Sequence, residues 1–379
     1  MNLLIHDLSP AEWAEVADRY AGWDVIGPSD RLRACAGCFG CWIKTPGLCV
    51  LPDGFDRIAV RMHAADEIVV LSRCTFGGFS SFVKNVFDRS IGGVQPFFGV
   101  VEGEMHHRRR YPGEKPLTVR FRGAGISKEE QALARRYVAA VCRNLRGRVR
   151  EVSFRSCAPE PVSAPAAARE VRGTVLLNCS ARGKNAVSHL LLDTLADALG
   201  HDCERLDLVS YRKDPDALIA RLREAETIVL GMGLYVDGVP SHVLRLMERL
   251  AREPAAGNQR VFVVGNMGLY ESRQQQNLLG AVRLWCEKAG FRYAGAVAVG
   301  AGEMIGRMPD LLRMAKGPAK TAANALRALA ETIRTGGTTP DCYADPHAFP
   351  RAMYIAAANF SWTRHGLSRR ALCARPELE

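Results

Sequence analysis

No apolar stretch in this sequence is long enough to cross a membrane, and it has no low-complexity tract. Its most apolar segments are short and strand-like, whereas a membrane helix needs about 20 apolar residues. The first residues, Met1–Leu8, have neither the basic start nor the small-residue cleavage site of a signal peptide. We therefore expect a cytoplasmic protein with no membrane partner.

No recognised nucleic-acid-binding motif accompanies the basic charge of the chain. The 51 Lys and Arg residues exceed the 40 Asp and Glu residues and give a net charge of +11. They are spread along the chain, and the one dense run is His106–Arg110. This distribution favours a solvated basic surface over a nucleic-acid partner.

The length of 379 residues suits two domains of ordinary size better than one core. Apolar runs alternate with helical patterns in both halves, which is typical of βαβ units and parallel sheets. The Pro- and Ala-rich segment 156–172 predicts a linker. We predict domains at residues 1–155 and 173–335, followed by a C-terminal extension at 336–379.

The predicted strands of the first domain are Asn2–His6, Trp23–Gly27, Glu67–Leu71, Leu117–Phe121 and Arg148–Phe154. Those of the second domain are Gly173–Cys179, Cys203–Leu208, Thr227–Met232, Val261–Asn266 and Ala294–Gly300.

A candidate phosphate-binding loop follows the first strand of the second domain. It contains Ser180, Arg182, Lys184 and Asn185, and Ser188 lies in the helix that follows. Such a loop lies at the topological switch point of a doubly wound sheet, where helix N-terminal amides and hydroxyls can hold an anion. An ordinary polar connection with Asn185 as helix cap is the alternative.

Two more loops follow neighbouring strands and are expected at the same edge of the sheet. Gly233–His242 and Asn266–Glu271 each combine glycine with a tyrosine that can cover a planar ligand. The three loops together resemble the NADPH-dependent FMN reductase group of the flavodoxin-like superfamily. Its Gly-Ser-x-Arg-x-x-Ser pattern is similar to residues 179–185, with Cys179 and Asn185 at the outer positions, and Gly233 replaces a proline of that family.

This resemblance implies two tandem flavodoxin-like α/β domains, each a doubly wound five-stranded parallel sheet in the order 2-1-3-4-5 flanked by helices. It also implies that the second domain binds FMN and accepts electrons from NAD(P)H. The FMN-binding residues expected on this basis are Ser180, Arg182, Lys184, Asn185, Ser188, Leu234, Tyr235, Val236, Asn266, Gly268, Tyr270 and Glu271.

The first domain lacks both the glycine and the basic residue of such a phosphate loop at Ile5–Trp13, so a second FMN is not expected there. Its segment Cys74–Ser81 nevertheless resembles the flavin-edge loop of the family, and Gly103–Arg108 resembles a segment of iron-sulfur flavoproteins. We interpret this domain as a degenerate partner that forms an intramolecular pseudo-dimer, with Cys74–Phe79 and the His106–His107 pair as candidate walls of the active site. A packed turn and an exposed basic loop are the alternatives.

The most specific local feature is the set Cys35, Cys38, Cys41 and Cys49. Disulfides are rare in a reducing compartment, so clustered cysteines there indicate thiols or metal ligands. Four thiolates at this spacing can converge on a [4Fe-4S] cluster, and the spacing resembles the compact motif of iron-sulfur flavoproteins. A zinc site, a metal-free thiol loop and a redox disulfide pair remain alternatives.

The sequence therefore predicts an FMN-dependent NAD(P)H oxidoreductase in which the flavin, and no protein nucleophile, performs the chemistry. The electron acceptor is expected to be a quinone-like molecule, a flavin or another protein. The sequence is also compatible with a homo-oligomer. An iron-sulfur flavoprotein that only shuttles electrons, or a flavin-free interaction protein, is the alternative.

Overall fold

The computed structural model describes residues 1–158, 171–200, 203–255, 259–364 and 367–378. They form two compact units. Unit 1 comprises Met1–Glu160, Pro240–Leu244 and Ile355–Glu379, and unit 2 comprises Pro161–Val239 and Arg245–Tyr354. Most of the predicted linker, residues 159–170, lies outside the described residues, so the predicted linker stays a prediction.

Unit 1 has a five-stranded parallel sheet in the order β2-β1-β3-β6-β7. Its central strands are apolar and buried, because helices cover both faces of a doubly wound sheet. A two-stranded antiparallel sheet, β4-β5, was not predicted from the sequence. The seven strands are β1 (Leu3–His6), β2 (Asp24–Ile26), β3 (Ile68–Arg73), β4 (Val94–Val101), β5 (Glu104–Arg109), β6 (Pro116–Gly123) and β7 (Arg148–Ser156).

The first five helices begin where the sequence supplies capping groups or turns. Ser80 accepts from the N–H of Val83 at the start of α4, and Ser127 forms a capping box with Glu130 at the start of α5. These helices are α1 (Pro10–Ala14), α2 (Gly40–Ile43), α3 (Ile58–Ala64), α4 (Ser81–Arg89) and α5 (Lys128–Leu145).

Unit 2 has a six-stranded, all-parallel sheet in the order β13-β12-β11-β10-β8-β9. Its strands are β8 (Thr174–Asn178), β9 (Glu204–Asp207), β10 (Thr227–Gly233), β11 (Arg260–Asn266), β12 (Arg292–Val299) and β13 (Cys342–Ala344). Five of them match the predicted strands, and the predicted α/β class with parallel doubly wound sheets is confirmed. The predicted count of five is corrected to six, because Cys342–Ala344 pairs with Val297–Val299.

The helices of unit 2 bury their apolar faces against this sheet and against one another. Leu191 and Leu195 of α6 belong to the same buried cluster as Leu326 and Leu329 of α12. The remaining helices are α6 (Val187–Leu199), α7 (Pro215–Glu224), α8 (Ser241–Ala251), α9 (Gln276–Ala289), α10 (Gly302–Gly306), α11 (Pro309–Met314), α12 (Lys320–Arg334), α13 (Arg351–Thr363) and α14 (Arg369–Leu372). A search of the described helices found none with the length and apolar character of a membrane span.

Candidate functional site

The three loops singled out from the sequence of unit 2 follow β8, β10 and β11, which are neighbours in the sheet. Because carboxyl ends of parallel strands meet at one edge, the loops emerge side by side. Leu234 N donates to the carbonyl oxygen of Asn266 at 2.8 Å, and Asn266 Nδ2 donates to the carbonyl oxygen of Met232 at 3.2 Å. The loops after β10 and β11 are thus in direct contact.

Asn178, at the end of β8, organises the candidate phosphate loop. Its Oδ1 accepts from Ser180 N at 3.2 Å and from Ser188 Oγ at 2.8 Å. Its Nδ2 donates to the carbonyl oxygen of Gly183 at 3.0 Å and to Asp207 Oδ1 at 2.6 Å. The sequence analysis missed this residue, since an Asn at a strand end has no distinguishing pattern.

We expect Asn178→Leu to weaken FMN binding about 10- to 100-fold. The substitution leaves the buried Ser188 hydroxyl and the Gly183 carbonyl without their amide partner, at about 1–3 kcal/mol for a buried unsatisfied group. A fluorescence titration of the apoprotein with FMN measures the change. The matched control is Asn324→Leu on α12, an exposed site in the same unit, and equal affinities of the two variants would contradict the assigned role of Asn178.

The predicted phosphate ligands differ in how they are placed. Ser180 and Arg182 are half-buried, Lys184 and Asn185 are exposed, and the buried Ser188 hydroxyl points inward to Asn178. Arg182 donates to Glu303 Oε1 at 3.2 Å and to the carbonyl oxygen of Asn185 at 2.9 Å. Ser180 Oγ accepts from Arg182 N at 3.2 Å. Glu303 is a carboxylate at this edge that the sequence analysis did not identify.

Helix α6 begins beside this loop without a side-chain cap, because its N-cap residue is Ala186. Asn185, the alternative cap considered from the sequence, is instead part of a short 3₁₀ turn at Gly183–Asn185. His189 N donates to the Ala186 carbonyl oxygen at 3.1 Å. The N–H groups at the start of a helix lack the usual i−4 acceptor and give the helix start a partial positive charge. An anion at this position would supply the missing acceptor.

The loop after β10 contains a tight turn in which Tyr235 and Gly238 exchange backbone hydrogen bonds of 3.2 and 3.0 Å. Val236 and Asp237 in this turn have positive φ values of 39° and 58°. A β-branched residue rarely adopts this conformation, and such strain is concentrated at functional sites.

Unit 1 has the same turn at the same place in its own sheet. Thr75 and Gly78 exchange backbone hydrogen bonds of 2.9 and 3.0 Å after β3, and Phe76 and Gly77 have φ values of 50° and 72°. Cys74 and Phe79, which flank the turn, are half-buried and buried. The turn after β3 therefore has the same backbone hydrogen bonds as the turn after β10, and the likeness of Cys74–Ser81 to a flavin-edge loop stays a prediction.

The loop after β11 is held by the segment that follows β13. Tyr270 Oη donates to the carbonyl oxygen of Phe349 at 3.0 Å, and Tyr354 Oη donates to that of Gly268 at 2.6 Å. Arg351 pairs with Glu271 at 2.8 Å. Part of the predicted C-terminal extension thus fixes three of the predicted FMN-binding residues.

The corresponding edge of unit 1 is acidic. Asp7 follows β1, and Glu12 lies in α1; Arg122 forms ion pairs with both carboxylates, at 3.1 Å to Asp7. Asp7 also accepts from Arg73 N at 2.9 Å. Because Asp7 and Glu12 already occupy the Arg122 guanidinium, this cation is not available to a phosphate, and the absence of a second FMN stays a prediction from the sequence.

Residues 35–49 of unit 1 form a loop whose thiols lie close to N–H donors; we call it the thiol loop. Gly40 N donates to Cys38 Sγ at 3.4 Å, and Arg89 Nε donates to Cys49 Sγ at 3.0 Å. The pKa of Cys35 is raised to about 12, mainly by burial and also by Asp88 and the thiols of Cys49 and Cys38, whereas a backbone hydrogen bond from Gly37 opposes the rise.

The fourth thiol, Cys41, is buried at the start of α2. Burial raises its pKa, and the charges of Cys35, Cys49 and Cys38 add to the rise, whereas Arg110 opposes it. The four side chains are therefore near enough to interact electrostatically. The four cysteines of the thiol loop are not joined in disulfides. Within the described residues no three Cys, His, Asp or Glu side chains are arranged to hold a metal ion.

Arg89 is fixed behind the thiol loop by a buried, two-pronged ion pair with Asp53, with N···O distances of 2.7 and 3.0 Å. Burial alone would raise the pKa of Asp53, but hydrogen bonds from Arg89 and from two backbone N–H groups outweigh it and lower the pKa to about 2. The Arg89 guanidinium therefore stays oriented toward Cys49.

His106 and His107, the predicted candidate walls of the active site, lie on strand β5. Neither residue is exposed, so the alternative of an exposed basic loop does not describe this segment. His106 is buried, and the His107 ring contacts Trp42 and Phe98 with centroid distances of 4.6 and 4.5 Å. Burial lowers the pKa of His107 to about 3, so this ring is neutral near pH 7. Within unit 1 the ring packs beside α2 of the thiol loop.

No family model matches this chain. An iron-sulfur flavoprotein of Methanosarcina thermophila is 32% identical over 63 residues, which are 17% of this chain and 32% of that protein. An iron-sulfur flavoprotein of Methanocaldococcus jannaschii is 36% identical over 76 residues, which are 20% of this chain and 38% of that protein. The chain thus spans about a third of the length of these curated relatives. Over these segments the chain is similar to proteins named as iron-sulfur flavoproteins.

Two solved structures have weak likeness to parts of the chain. An FMN-dependent NADH-azoreductase from Bacillus anthracis, solved with FMN, is 9% identical, and the match covers 43% of this chain and all of that one (100%) with a TM-score of 0.32. An NAD(P)H:quinone oxidoreductase from Methanothermobacter marburgensis is 15% identical, with 42% and 96% covered and a TM-score of 0.32. At such scores neither likeness supports a functional inference.

Proposed function

We propose that this protein is an FMN-dependent oxidoreductase that takes electrons from NAD(P)H and passes them to a quinone-like, flavin or protein acceptor. The observation that favours it most is the loop after β8 in unit 2, where the Ser180 hydroxyl and the uncapped start of α6 lie at the switch point of the sheet. The curated relatives to which part of the chain is similar are flavoproteins by name.

The residues of this edge suit a planar ligand with an anionic tail. Ser180, Arg182 and Lys184 would hold the phosphate with a hydroxyl and two positive charges. The strained turn at Val236 would place backbone against the ring edge, and Tyr270 would border the ring from a position fixed by the carbonyl of Phe349. Leu234, Asn266 and Gly268 complete the expected lining.

When bound, FMN supplies hydride acceptance at its ring nitrogen and onward electron transfer. The side chains of this chain bind and orient it. Tyr270, whose hydroxyl is held by a carbonyl, is a fixed wall against which a nicotinamide can be aligned. No described side chain is needed as a nucleophile in this scheme.

Glu303→Gln is expected to tighten FMN binding about two- to fivefold. Glu303 forms an ion pair with Arg182 at 3.2 Å and is partly exposed. It therefore competes with a phosphate for the Arg182 guanidinium. Breaking a surface ion pair of this kind costs about 0–1 kcal/mol of binding free energy. A titration at low and high salt measures the gain, which should shrink as salt screens the carboxylate. Weaker binding by the variant would show that Glu303 does not oppose the phosphate.

We further propose that the thiol loop of unit 1 binds a [4Fe-4S] cluster, which would split electron pairs from the flavin into single electrons. The proposal is supported by N–H donors at three of the sulfurs: Gly40 N faces Cys38, Arg89 Nε faces Cys49, and a backbone hydrogen bond from Gly37 acts on Cys35. In the described geometry the four thiols are not grouped around a metal ion, so binding of a cluster requires the loop to rearrange. Gly37 and Phe39 have positive φ values of 62° and 56°, as in the backbone nests that bind anions. The alternatives for the thiol loop are a bound zinc ion, four thiols without metal, and a disulfide pair.

One preparation tests both proposals. The protein is purified anaerobically, its visible spectrum is recorded, and flavin, iron, sulfide and zinc are measured per chain. A flavin spectrum near 450 nm with NAD(P)H-dependent reduction of a quinone or dye supports the oxidoreductase. If NAD(P)H reduces the flavin but the electrons pass only to another redox protein, the result favours an electron carrier. If the protein is colourless and does not bind added FMN, the proposal is overturned.

A further inference from the structure

Four consecutive carbonyl groups of the loop after β11 are held by donors of unit 2. Three of these donors are backbone N–H groups, and the fourth is a side-chain hydroxyl. The donors and the carbonyl oxygens that they reach are Leu234 N and Asn266 (2.8 Å), Gly302 N and Met267 (2.7 Å), Tyr354 Oη and Gly268 (2.6 Å), and Ala301 N and Leu269 (2.7 Å). These oxygens are thus turned toward the protein.

The N–H groups of the same peptide units have no acceptor among the described residues. A carbonyl and the N–H that follows it belong to one planar trans peptide and point in opposite directions. Because the oxygens of residues 266–269 are held, the N–H groups of Met267, Gly268, Leu269 and Tyr270 point away from those contacts. Met267 and Leu269 are only 5% and 7% exposed, and buried N–H groups are nearly always paired with protein, water or a ligand.

This run of N–H donors lies beside the candidate phosphate loop. A Cβ atom on Gly268 would lie 3.7 Å from Glu303 Cγ, and the Glu303 carboxylate accepts from Arg182 of the phosphate loop at 3.2 Å. The two loops therefore flank the same side chain at one edge of the sheet. An elongated ligand with a phosphate at Arg182 can reach the N–H groups of the loop after β11.

Tyr354 is the one side chain among the four donors that hold the loop. It is buried, and burial raises the pKa of its hydroxyl; Glu303 adds to the rise, whereas Arg307 opposes it. The hydroxyl therefore keeps its proton and acts as a donor near pH 7. Since the other three donors are backbone groups, only this contact depends on the identity of a side chain, and it fixes the direction of the peptide between Gly268 and Leu269.

We propose that Tyr354 is a positioning residue that makes the loop after β11 a donor-only edge, and that this edge binds the oxygen atoms of the flavin ring. The inference rests on the proposed binding of FMN. The pyrimidine part of the flavin ring has two carbonyl oxygens, with one N–H group between them. The donor-only edge can pair with the oxygens, whereas the ring N–H needs an acceptor elsewhere. A phosphate of NAD(P)H would use the same donors, and the test separates the two ligands.

The test compares Tyr354→Phe with the control Tyr293→Phe. Each change removes a tyrosine hydroxyl that makes a 2.6 Å hydrogen bond in unit 2, to Gly268 and to Asp341 respectively. Tyr293 lies at the amino end of β12, at the opposite edge of the sheet. Dissociation constants of the full-length apoproteins are measured for FMN, for riboflavin, and for 2-thio- and 4-thio-FMN, in which a weakly accepting sulfur replaces one ring oxygen. Circular dichroism checks folding.

We expect Tyr354→Phe to weaken FMN binding about 2- to 10-fold, the range for one neutral hydrogen bond. Wild type should bind at least one thio-FMN more weakly than FMN, and Tyr354→Phe should reduce this difference. The ratio of the riboflavin and FMN dissociation constants, which reports the phosphate contacts, should stay unchanged. The midpoint potential of the bound flavin should become more negative, because N–H donors stabilise the more electron-rich reduced ring. Tyr293→Phe should match wild type in each measurement.

Amide hydrogen exchange of the wild-type protein gives a second, independent measurement. Exchange within residues 267–270 should slow by about tenfold or more when FMN binds, because N–H groups without acceptors then acquire them. Riboflavin, which has the ring but no phosphate, should give the same protection. NADP⁺ alone should give none.

An unchanged ratio of thio-FMN to FMN affinity in a folded Tyr354→Phe protein would overturn the proposal, and so would exchange at 267–270 that FMN does not slow. If Tyr354→Phe does not fold, the exchange measurement decides. Protection by NADP⁺ alone would assign the donors to a phosphate and also overturn the proposal. If wild type binds FMN but fails these tests, only the role of this loop is refuted; if wild type binds no FMN, the proposed function is refuted as well.

Discussion

Ser180→Ala combined with Arg182→Glu is expected to weaken FMN binding by more than about 100-fold. The variant removes a hydroxyl and replaces a cation with an anion beside Glu303, in a loop where a phosphate would need positive charge. A hydrogen bond to a charged group is worth about 1.5–3 kcal/mol, and each 1.4 kcal/mol is a factor of ten in affinity. Fluorescence titration of apoprotein with FMN gives the dissociation constants.

The control for this variant is Arg313→Glu, which makes the same change of charge at an exposed pair with Asp310 in the same unit. It should leave FMN affinity within about twofold of wild type, since surface charges far from a site are screened by salt. If the double variant is folded by circular dichroism and binds FMN as tightly as wild type, the phosphate does not lie in the loop after β8.

Lys84→Met is expected to destabilise the protein by about 3–5 kcal/mol, because it leaves the carboxylate of Asp88 buried without its charge partner. The Lys84 and Asp88 side chains are 1% and 0% exposed and form an ion pair one turn apart on α4. Chemical denaturation followed by circular dichroism measures the loss in the free energy of unfolding.

Replacing both partners, Lys84→Met with Asp88→Leu, should recover much of that stability, since no buried charge remains. The exposed pair of Arg109 and Glu114 provides the contrast: Glu114→Gln should change the free energy of unfolding by less than about 1 kcal/mol. A Lys84→Met protein as stable as wild type would mean that Asp88 finds another partner or a proton in the folded state.

Much of the fold follows from the sequence because a parallel sheet covered on both faces needs continuous apolar strands. Each of the ten predicted strands overlaps an observed one, including short ones such as Glu204–Asp207. Strand β13 was missed because its three residues, Cys342–Ala344, are too short a run to indicate a strand. The β4-β5 hairpin was missed because its turn is formed by Glu102 and Gly103, which have φ values of 50° and 85°. Glu-Gly is not one of the usual residue pairs of a two-residue hairpin turn.

The candidate site was predictable only in its glycine, serine and tyrosine positions. Glu303 was not found because its partner, Arg182, lies far along the chain. Asn178 was not found because an Asn at a strand end has no distinguishing pattern, although it contacts residues as near as Ser180 and Ser188. The contacts of Tyr354 and Arg351 with the loop after β11 were also missed. Side chains that fix a loop from a distance have no local spacing that a sequence pattern could reveal.

The grouping of Ile355–Glu379 with unit 1 affects how this protein is synthesised. Its first residues leave the ribosome early, but the carbonyls of Leu372 and Ala374 that bind Arg110 emerge only after all of unit 2 has been made. At about 5–20 residues per second, the nascent first half waits with the Arg110 guanidinium lacking these acceptors. The Arg110 guanidinium therefore reaches its full set of backbone acceptors only after the C-terminal residues have been synthesised.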